Sequence, residues 1–157
     1  SYVEFNAIRA FTKSTHADVI VFASYGYTHA RYSNNHKDAS TTGKKVENAP
    51  EHILRSGITS GYKNFLSTVQ VSYAGKTYSD ANNTKTPTAN GNNGLIPSYT
   101  ITDLTATYKF SKGINIKAGI NNLFNKIYFT RRAGGYPGPG ALPADGRTFF
   151  ISVGAKL

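Results

Sequence analysis

Three arginines flank a Gly/Pro-rich segment near the end of this 157-residue sequence. Arg131 and Arg132 precede the segment, and Arg147 follows it. Guanidinium groups bind carboxylates and other anions through paired, charge-assisted hydrogen bonds, so we predict that these arginines attract or hold an anionic ligand. Two plainer roles stay open, namely pairing with anionic lipid headgroups and solvation of a loop.

Four histidines, His16, His29, His36 and His52, raise the question of a metal site. Their spacing does not put two of them on one face of a strand at i and i+2, and no cysteine or acidic cluster accompanies them. We therefore predict no metal ligation and no cofactor. His29 and His36 fall near the first long predicted loop, where contact with a ligand stays open to them.

The sequence shows no arrangement of residues that is typical of an enzyme active site. The absence of cysteine removes thiolate nucleophiles, and no Ser/His/Asp or paired-carboxylate arrangement stands out. The glycines between Gly134 and Gly140 resemble a phosphate cradle, but Pro137 and Pro139 lack the backbone N–H groups that such a cradle needs. We predict that the chain is not an enzyme and that this segment is a stiff, turn-rich loop.

The chain is strongly basic, with 18 Lys and Arg against 8 Asp and Glu and a net charge of +10. Basic residues interleaved with aromatic ones are compatible with nucleic-acid binding. Here they are spread over turns, loops and strands instead of forming one stripe, so we predict no nucleic-acid partner. Asp103 is the one acid centred in a predicted strand, and we expect it to form an ion pair with Lys109 or Lys117.

Apolar residues recur with a period of two, which is typical of β-strands with one apolar face. No stretch has a convincing helical period, and nowhere do about 18 apolar residues run together as a membrane helix requires. We predict an all-β chain of seven strands, the first of which, Val3 to Phe11, is the weakest. The other six alternating faces carry Val19, Val21, Tyr25 and Tyr27; Leu54, Ile58 and Tyr62; Val69, Val71 and Tyr73; Leu104, Ala106, Tyr108 and Phe110; Ile114, Ile116, Ala118 and Ile120; and Phe149, Ile151, Val153, Ala155 and Leu157.

Short and long connections alternate strictly between these strands. Short turns are predicted at 13–16, 63–64 and 111–113, and long loops at 33–50, 80–98 and 133–146. Strands of about ten residues joined in this way are typical of antiparallel transmembrane β-barrels. The alternative is a two-sheet sandwich, in which the chain is a self-contained small all-β binding or structural protein. The barrel also predicts an aromatic girdle near the strand ends, formed by Tyr62, Tyr73, Tyr108, Phe110, Tyr128 and Phe149.

Seven is an odd number, whereas bacterial single-chain barrels close with an even number of strands. We therefore expect further strands upstream of Ser1, with the long loops outside the cell and the C-terminus in the periplasm. The absence of methionine is consistent with a processed chain or a fragment.

The segment Asn122-Leu123-Phe124-Asn125-Lys126-Ile127-Tyr128 resembles the N-L-F-[DN]-K-x-Y segment near the end of TonB-dependent outer-membrane receptors. The preceding stretch from Tyr99 to Phe110 is similar to the strand before that segment in the family. The alternation of Phe149, Ile151, Val153, Ala155 and Leu157 resembles the C-terminal signal that the barrel assembly machinery reads. The stretches 128–132, 135–140 and 146–150 look most like receptors of the ferric citrate type.

This resemblance implies that residues 1–157 are the last seven strands of an outer-membrane barrel of about 22 strands. It implies active uptake of a ferric chelate, such as ferric citrate or a ferric siderophore, energised by TonB, with lipid and lipopolysaccharide around the wall. Two features depart from the family: the plug domain and the TonB box are absent from the sequence, and Leu157 stands where the family usually has Phe or Trp. Since the plug does much of the selecting, the identity of the chelate is not readable from this segment.

Overall fold

The described part of the chain is built from antiparallel β-strands and the loops that join them, which confirms the predicted fold class. The computed structural model describes residues 2–13, 17–33, 39–110, 113–136 and 138–155, with the backbone alone for residues 9–13. Besides a short 3₁₀ turn at Ala39–Thr41, the elements are β1 (Tyr2–Lys13), β2 (Ala17–Thr28), β3 (His52–Tyr62), β4 (Phe65–Ala74), β5 (Thr77–Tyr78), β6 (Leu95–Ile96), β7 (Tyr99–Lys109), β8 (Ile114–Asn121), β9 (Phe129–Ala133), β10 (Gly140–Pro143) and β11 (Thr148–Ala155). No helix in these ranges is long and apolar enough to cross a membrane.

Seven of the strands form one sheet in the order β1-β2-β3-β4-β7-β8-β11, so strands that follow one another along the chain lie side by side. All neighbouring pairs are antiparallel. Two small ladders, β5 with β6 and β9 with β10, lie outside this sheet. β6 and β10 fall in segments that we predicted as long loops, and β5 and most of β9 come just before those segments, so neither ladder was predicted.

Strand lengths follow the prediction at five positions and depart from it at two. The strands β1, β2, β3, β4 and β7 have 10 to 12 residues, whereas β8 and β11 have 8 each. β8 ends early because Asn122 takes a φ of 51°, which an extended strand cannot continue. Of the predicted short turns, 63–64 is described, whereas residues 14–16 and 111–112 lie outside the described part of the chain.

One face of the sheet is apolar, and the strand register makes it continuous. A single row crosses six strands through Val21, Ile58, Val69, Leu104, Ile120 and Phe149. The adjacent row on the opposite, polar face crosses the same strands through Ile20, Thr59, Thr68, Thr105, Gly119 and Phe150. On that face the hydroxyls of Thr59 and Thr68 are 2.8 Å apart and share a hydrogen bond.

Among the described residues, no second layer covers either face of the sheet. The buried hydrophobic side chains of the described residues are Ile96 and Ile101, whereas Val69 is 42% exposed and Ile151 is 74% exposed. A two-sheet sandwich buries one face of each sheet in a dry core. The structure of the described residues therefore does not support the sandwich alternative.

Aromatic side chains cluster at both ends of the apolar face. Tyr62, Phe65 and Tyr108 stand opposite one another across three strands, and Phe110 packs edge-on against Tyr108 with ring centroids 4.7 Å apart. We call these four residues the lower aromatic row. The upper aromatic row, at the other end, consists of Tyr25, Tyr27, His52 and Tyr73.

Tyr128 does not join either row, and its assignment to the girdle was wrong. The segment that carries it leaves the sheet after Asn121, and its ring packs against Tyr99 with centroids 4.6 Å apart. Phe149 does lie on the apolar face, opposite Ile120.

Two glycines on the polar face let a phenylalanine ring lie flat across a neighbouring strand. A Cβ at Gly57 would lie 2.4 Å from the Phe22 ring and 2.5 Å from the Val69 carbonyl oxygen. A Cβ at Gly119 would lie 2.4 Å from the Phe150 ring. Large rings that cover strand glycines compensate for the missing side chain and help to fix the register.

Candidate functional site in the long loops

Three long connections leave the same end of the sheet, because successive strands run in opposite directions. We call them loop A (residues 29–51), loop B (75–98) and loop C (122–147). Loop B contains β5 and β6, and loop C contains β9 and β10. All the arginines predicted to bind an anion lie in loop C, so this end of the sheet is the candidate functional site.

Loop C begins with a turn that the side chain of Asn122 holds together. Its Nδ2 donates to the carbonyl oxygens of Lys126 (2.9 Å) and Asp145 (3.4 Å), and its Oδ1 accepts from the backbone N–H of Lys126 (2.8 Å). Asn122 is only 3% exposed. Its φ of 51° suits asparagine, which tolerates the left-handed region better than most residues. Asn122, the first residue of the segment 122–128, therefore has a structural role.

A second asparagine of this segment reaches the end of loop C. The Oδ1 of Asn125 accepts from the backbone N–H of Arg147 (3.0 Å), just before β11 begins. The backbone N–H of Leu123 donates to the carbonyl of Thr102 in β7 (2.7 Å). The turn thus ties β7, β8 and the start of β11 to one another.

Asp103 serves this turn, and the predicted ion pair with a lysine is not formed. Its Oδ1 accepts from the backbone N–H of Asn122 at 2.9 Å. Lys109 shares its face of β7 but lies at the other end of the strand, and Lys117 lies above the Phe150 ring. Among the described residues the ion pairs are those of Glu51 with Arg31 and Lys45.

Glu51 is the charged centre of loop A. It contacts Lys45 at 2.6 Å and Arg31 at 2.9 Å. The hydrogen bond from Lys45, together with the positive charges of Lys45 and Arg31, holds the pKa of the Glu51 carboxyl below its ordinary value of 4.5. Sequence reasoning missed this cluster because its members are separated by loop residues without periodicity.

Loops A and B are joined by Asn83, which the sequence analysis also missed. Its Oδ1 accepts from the backbone N–H of Lys45 (2.7 Å) and its Nδ2 donates to the Lys45 carbonyl (2.8 Å). The Asn48 N–H adds a bond to the Tyr78 carbonyl (2.8 Å). The Asn-rich composition of loop B indicates turns in general and carries no signal for this particular contact.

The two described histidines, His29 and His52, do not converge on a metal site. His52, a member of the upper aromatic row, shares a 2.7 Å hydrogen bond with the Tyr25 hydroxyl and packs against the rings of Tyr25 and Tyr27. His29 lies next to Tyr27, with its Nδ1 3.4 Å from the Tyr27 hydroxyl. His16 and His36 lie outside the described residues. In the described ranges no three His, Asp or Glu residues are grouped so as to hold a metal ion.

The three predicted anion-binding arginines have different surroundings. Arg131 and Arg147 are exposed, and in the described part of the chain their side chains make no hydrogen bond, ion pair or ring contact. Arg132 is half-buried, and its guanidinium donates to the carbonyls of Gly91 (2.8 Å) and Leu95 (3.2 and 3.4 Å). The structure does not bring the three guanidinium groups together on one ligand, and their role as substrate contacts stays a prediction.

Two clefts open beside the turn of loop C. One, of about 500 Å³, is lined mainly by apolar groups from Pro97 to Tyr99 and from Ile127 to Phe129, with Lys126 at its side. The other, of about 300 Å³, contains Asp103 and Asp145. Burial raises the pKa of the Tyr128 phenol, and the nearby Tyr99, Asp103 and Asp145 add to the rise.

The last strand presents the face that we predicted as an assembly signal. Phe149, Ile151 and Val153 are exposed on the apolar face, and Ala155 follows in the same alternation. Leu157 lies outside the described residues. Recognition of this face by the assembly machinery stays a prediction.

Comparisons with known proteins agree with this geometry. The "Probable TonB-dependent siderophore receptor PiuA" of Acinetobacter baumannii is 34% identical over 84 residues, which are 54% of this chain and 10% of the relative. The ferric enterobactin receptor of Pseudomonas aeruginosa is 41% identical over 78 residues, covering 45% of this chain and 10% of the relative. The unliganded ferric citrate transporter FecA superposes with a TM-score of 0.75 at 25% identity, over 85% of this chain and 20% of FecA.

The chain thus spans about a tenth of the curated relatives that it matches. A family model described as "TonB dependent receptor-like, beta-barrel" matches residues 3–123. Proteins of this family are transport receptors of the outer membrane. Because the model covers well over half of the sequence, the chain belongs to the TonB-dependent receptor-like β-barrel family.

Proposed function

We propose that residues 1–157 form the C-terminal part of the barrel wall in an outer-membrane receptor that takes up an anionic ferric chelate with energy from TonB. The segment contributes wall, loops and an assembly signal, and no covalent chemistry. TonB acts through parts of the receptor outside residues 1–157, namely a plug domain and a TonB box.

One observation carries the proposal: the apolar face is exposed and is bordered by an aromatic row at each end. Phe65 and Tyr73 stand at the two ends of β4, about 26 Å apart at a strand rise of about 3.3 Å per residue. With a strand tilt of about 40°, the rows are separated by about 20 Å along the membrane normal, close to the apolar band of outer-membrane barrels. Such a face suits lipid, because a water-exposed sheet of this size would aggregate.

The three long loops at one end of the sheet support one orientation of the wall in the membrane. Long loops face the outside in outer-membrane barrels, so loops A, B and C meet lipopolysaccharide and the incoming chelate. The C-terminal strand then ends in the periplasm, where the assembly machinery can read Phe149, Ile151, Val153, Ala155 and Leu157. The polar face lines the lumen.

The positive charge of the chain supports an anionic ligand. The chain carries a net charge of +10, and Arg131 and Arg147 offer two exposed guanidinium groups without partners among the described residues. Ferric citrate and many ferric siderophores are anionic, and guanidinium forks bind their carboxylates in pairs. His29 and His36 stay predicted contacts of lower weight, since neither is needed to bind iron that arrives already chelated.

Uptake by the whole receptor tests the proposal. In cells that lack other receptors for the same chelate, we expect the double change Arg131→Ala/Arg147→Ala to lower uptake of radiolabelled ferric citrate or ferric enterobactin about tenfold at limiting concentration. A tenfold loss corresponds to about 1.4 kcal/mol, which is close to the lower limit of what one hydrogen bond to a charged group contributes.

A matched control removes the same charge from loop B. Lys76 and Lys85 are exposed and their side chains make no hydrogen bond or ion pair within the described residues, so Lys76→Ala/Lys85→Ala should leave uptake close to wild type. Uptake that survives Arg131→Ala/Arg147→Ala unchanged would remove the arginines from the binding site. Uptake that continues in cells without TonB would overturn the transport mechanism itself.

A further inference from the structure

Arg132 lies in loop C, and its guanidinium is already bonded to other protein groups. A residue that binds a ligand is expected to have a free guanidinium. Its Nη1 donates to the Gly91 carbonyl at 2.8 Å, and its Nη2 and Nε reach the Leu95 carbonyl at 3.2 and 3.4 Å. Its Cζ lies 4.9 Å from the centroid of the Phe129 ring. The guanidinium is therefore occupied by two backbone carbonyls and one aromatic face.

The partner of Arg132 is the tip of loop B, which is already ordered by its own side chains. The Thr88 hydroxyl lies 2.9 Å from both Asn90 Oδ1 and Asn92 Oδ1, either of which can accept its proton, and the Gly91 N–H donates to the Thr88 carbonyl at 2.7 Å. The tip, residues 88–95, is thus a compact unit that Arg132 contacts at Gly91 and at its last residue, Leu95.

Glycine permits the close approach between this tip and loop C. Gly91 has a φ of 72°, and a Cβ there would lie 3.2 Å from the Cα of Gly140 at the start of β10. Gly94 has a φ of 145°, and a Cβ there would lie 3.5 Å from Arg132 Nε. Two loops far apart in sequence therefore meet through backbone, with Arg132 between them.

Arg131, the chain neighbour of Arg132, has the opposite environment. It is exposed, and its side chain has no partner among the described residues. Neighbouring residues of a strand point to opposite faces, so β9 directs one guanidinium to loop B and the other to solvent.

We propose that Arg132 is a positioning residue that docks the tip of loop B onto loop C, and that Arg131 is the guanidinium of this strand that meets the anionic chelate. The second half of this assignment rests on the proposed function. The first half concerns the receptor without ligand. A planar fork is needed to reach two carbonyls while stacking on a ring, and a lysine ammonium does not supply it.

Hydrogen exchange of the ligand-free whole receptor tests the docking. We expect amides of residues 88–95 to exchange about tenfold faster in both Arg132→Ala and Arg132→Lys than in wild type, and to stay unchanged in Arg131→Ala. Heat-modifiable migration of each variant confirms that its barrel is folded. Unchanged exchange in Arg132→Ala, or wild-type exchange in Arg132→Lys, would overturn the positioning role.

Binding of ferric citrate and ferric enterobactin to the same variants separates position from charge. If Arg132 positions the loops, Arg132→Lys weakens binding as much as Arg132→Ala does, whereas Arg131→Lys keeps most of the affinity that Arg131→Ala loses. Full affinity in Arg132→Lys with loss in Arg132→Ala would instead make Arg132 a direct charge contact. If the wild-type receptor binds neither chelate, the proposed function fails while the exchange result still decides the docking.

Discussion

At Asn122 one amide side chain satisfies three backbone groups: the carbonyls of Lys126 and Asp145 and the N–H of Lys126. The same residue supplies the left-handed backbone that ends β8. Asn122 thus combines side-chain hydrogen bonds with a left-handed backbone conformation. The two contributions can be separated by experiment, because Asn48 has the left-handed conformation alone. Asn48 has a φ of 54°, is exposed, and its side chain makes no hydrogen bond within the described residues.

We predict that Asn122→Ala lowers the free energy of unfolding by about 2 to 3 kcal/mol, since three partly buried hydrogen bonds to backbone groups are lost. Asn48→Ala should cost about 1 kcal/mol, the price of the left-handed backbone alone. Urea titration of the folded receptor in detergent micelles measures both. Equal losses for the two variants would mean that the side-chain hydrogen bonds of Asn122 contribute nothing.

Loop A should loosen in acid because of Glu51. Its pKa is lowered in the folded chain by Lys45 and Arg31, so its contribution is present above the ordinary value of 4.5 and is lost as the pH falls below that value. Hydrogen exchange at the Val46 amide, which donates to Ala30, should therefore show less protection at pH 3 than at pH 7 after correction for intrinsic rates. In Glu51→Gln this difference should disappear, and its persistence would assign the effect to another group.

At the scale of elements, the strands are held in register by an apolar face and by glycines that admit a ring or a carbonyl. Gly57 is the most confined of these, because a Cβ there meets both the Phe22 ring and the Val69 carbonyl. Gly26, on the neighbouring strand and the same polar face, has room for a Cβ, with Tyr2 atoms no closer than 3.7 Å.

We predict that Gly57→Ala lowers the free energy of unfolding by at least about 2 kcal/mol, since a backbone oxygen cannot move aside as a side chain can. Gly26→Ala should stay within about 0.5 kcal/mol of wild type. Heat-modifiable migration over a temperature series compares the two. A Gly57→Ala receptor that melts like wild type would show that β3 and β4 are free to separate locally.

Elements with a period of two were predictable, and the contacts between loops were not. In strands such as those of Ile58 and Phe149, the alternation of apolar and polar residues shows which side chains share a face. Successive side chains of a strand point to opposite faces of the sheet. The ladder of β9 with β10 was missed because glycine and proline around residues 134–140 indicate turns and hide a short pairing. Nothing in the sequence distinguishes Arg131 from Arg132, since their difference depends on where loop B folds.

We propose that in the whole receptor the sheet separates lipid from lumen, with its apolar face toward the lipid. The chain contains no cysteine, so single cysteines along β4 report on one position each. Odd positions from Phe65 to Tyr73 lie on the apolar face, and even positions from Leu66 to Ala74 lie on the polar face.

The most direct test is spin-label accessibility at each of these positions in the receptor reconstituted in lipid bilayers. We predict an alternation with a period of two: labels at residues 67, 69 and 71 collide mainly with oxygen, which dissolves in lipid, and labels at 68, 70 and 72 mainly with a water-soluble nickel complex. Equal access of the nickel complex to both sets, or an alternation of opposite phase, would contradict the assignment of this sheet as a barrel wall.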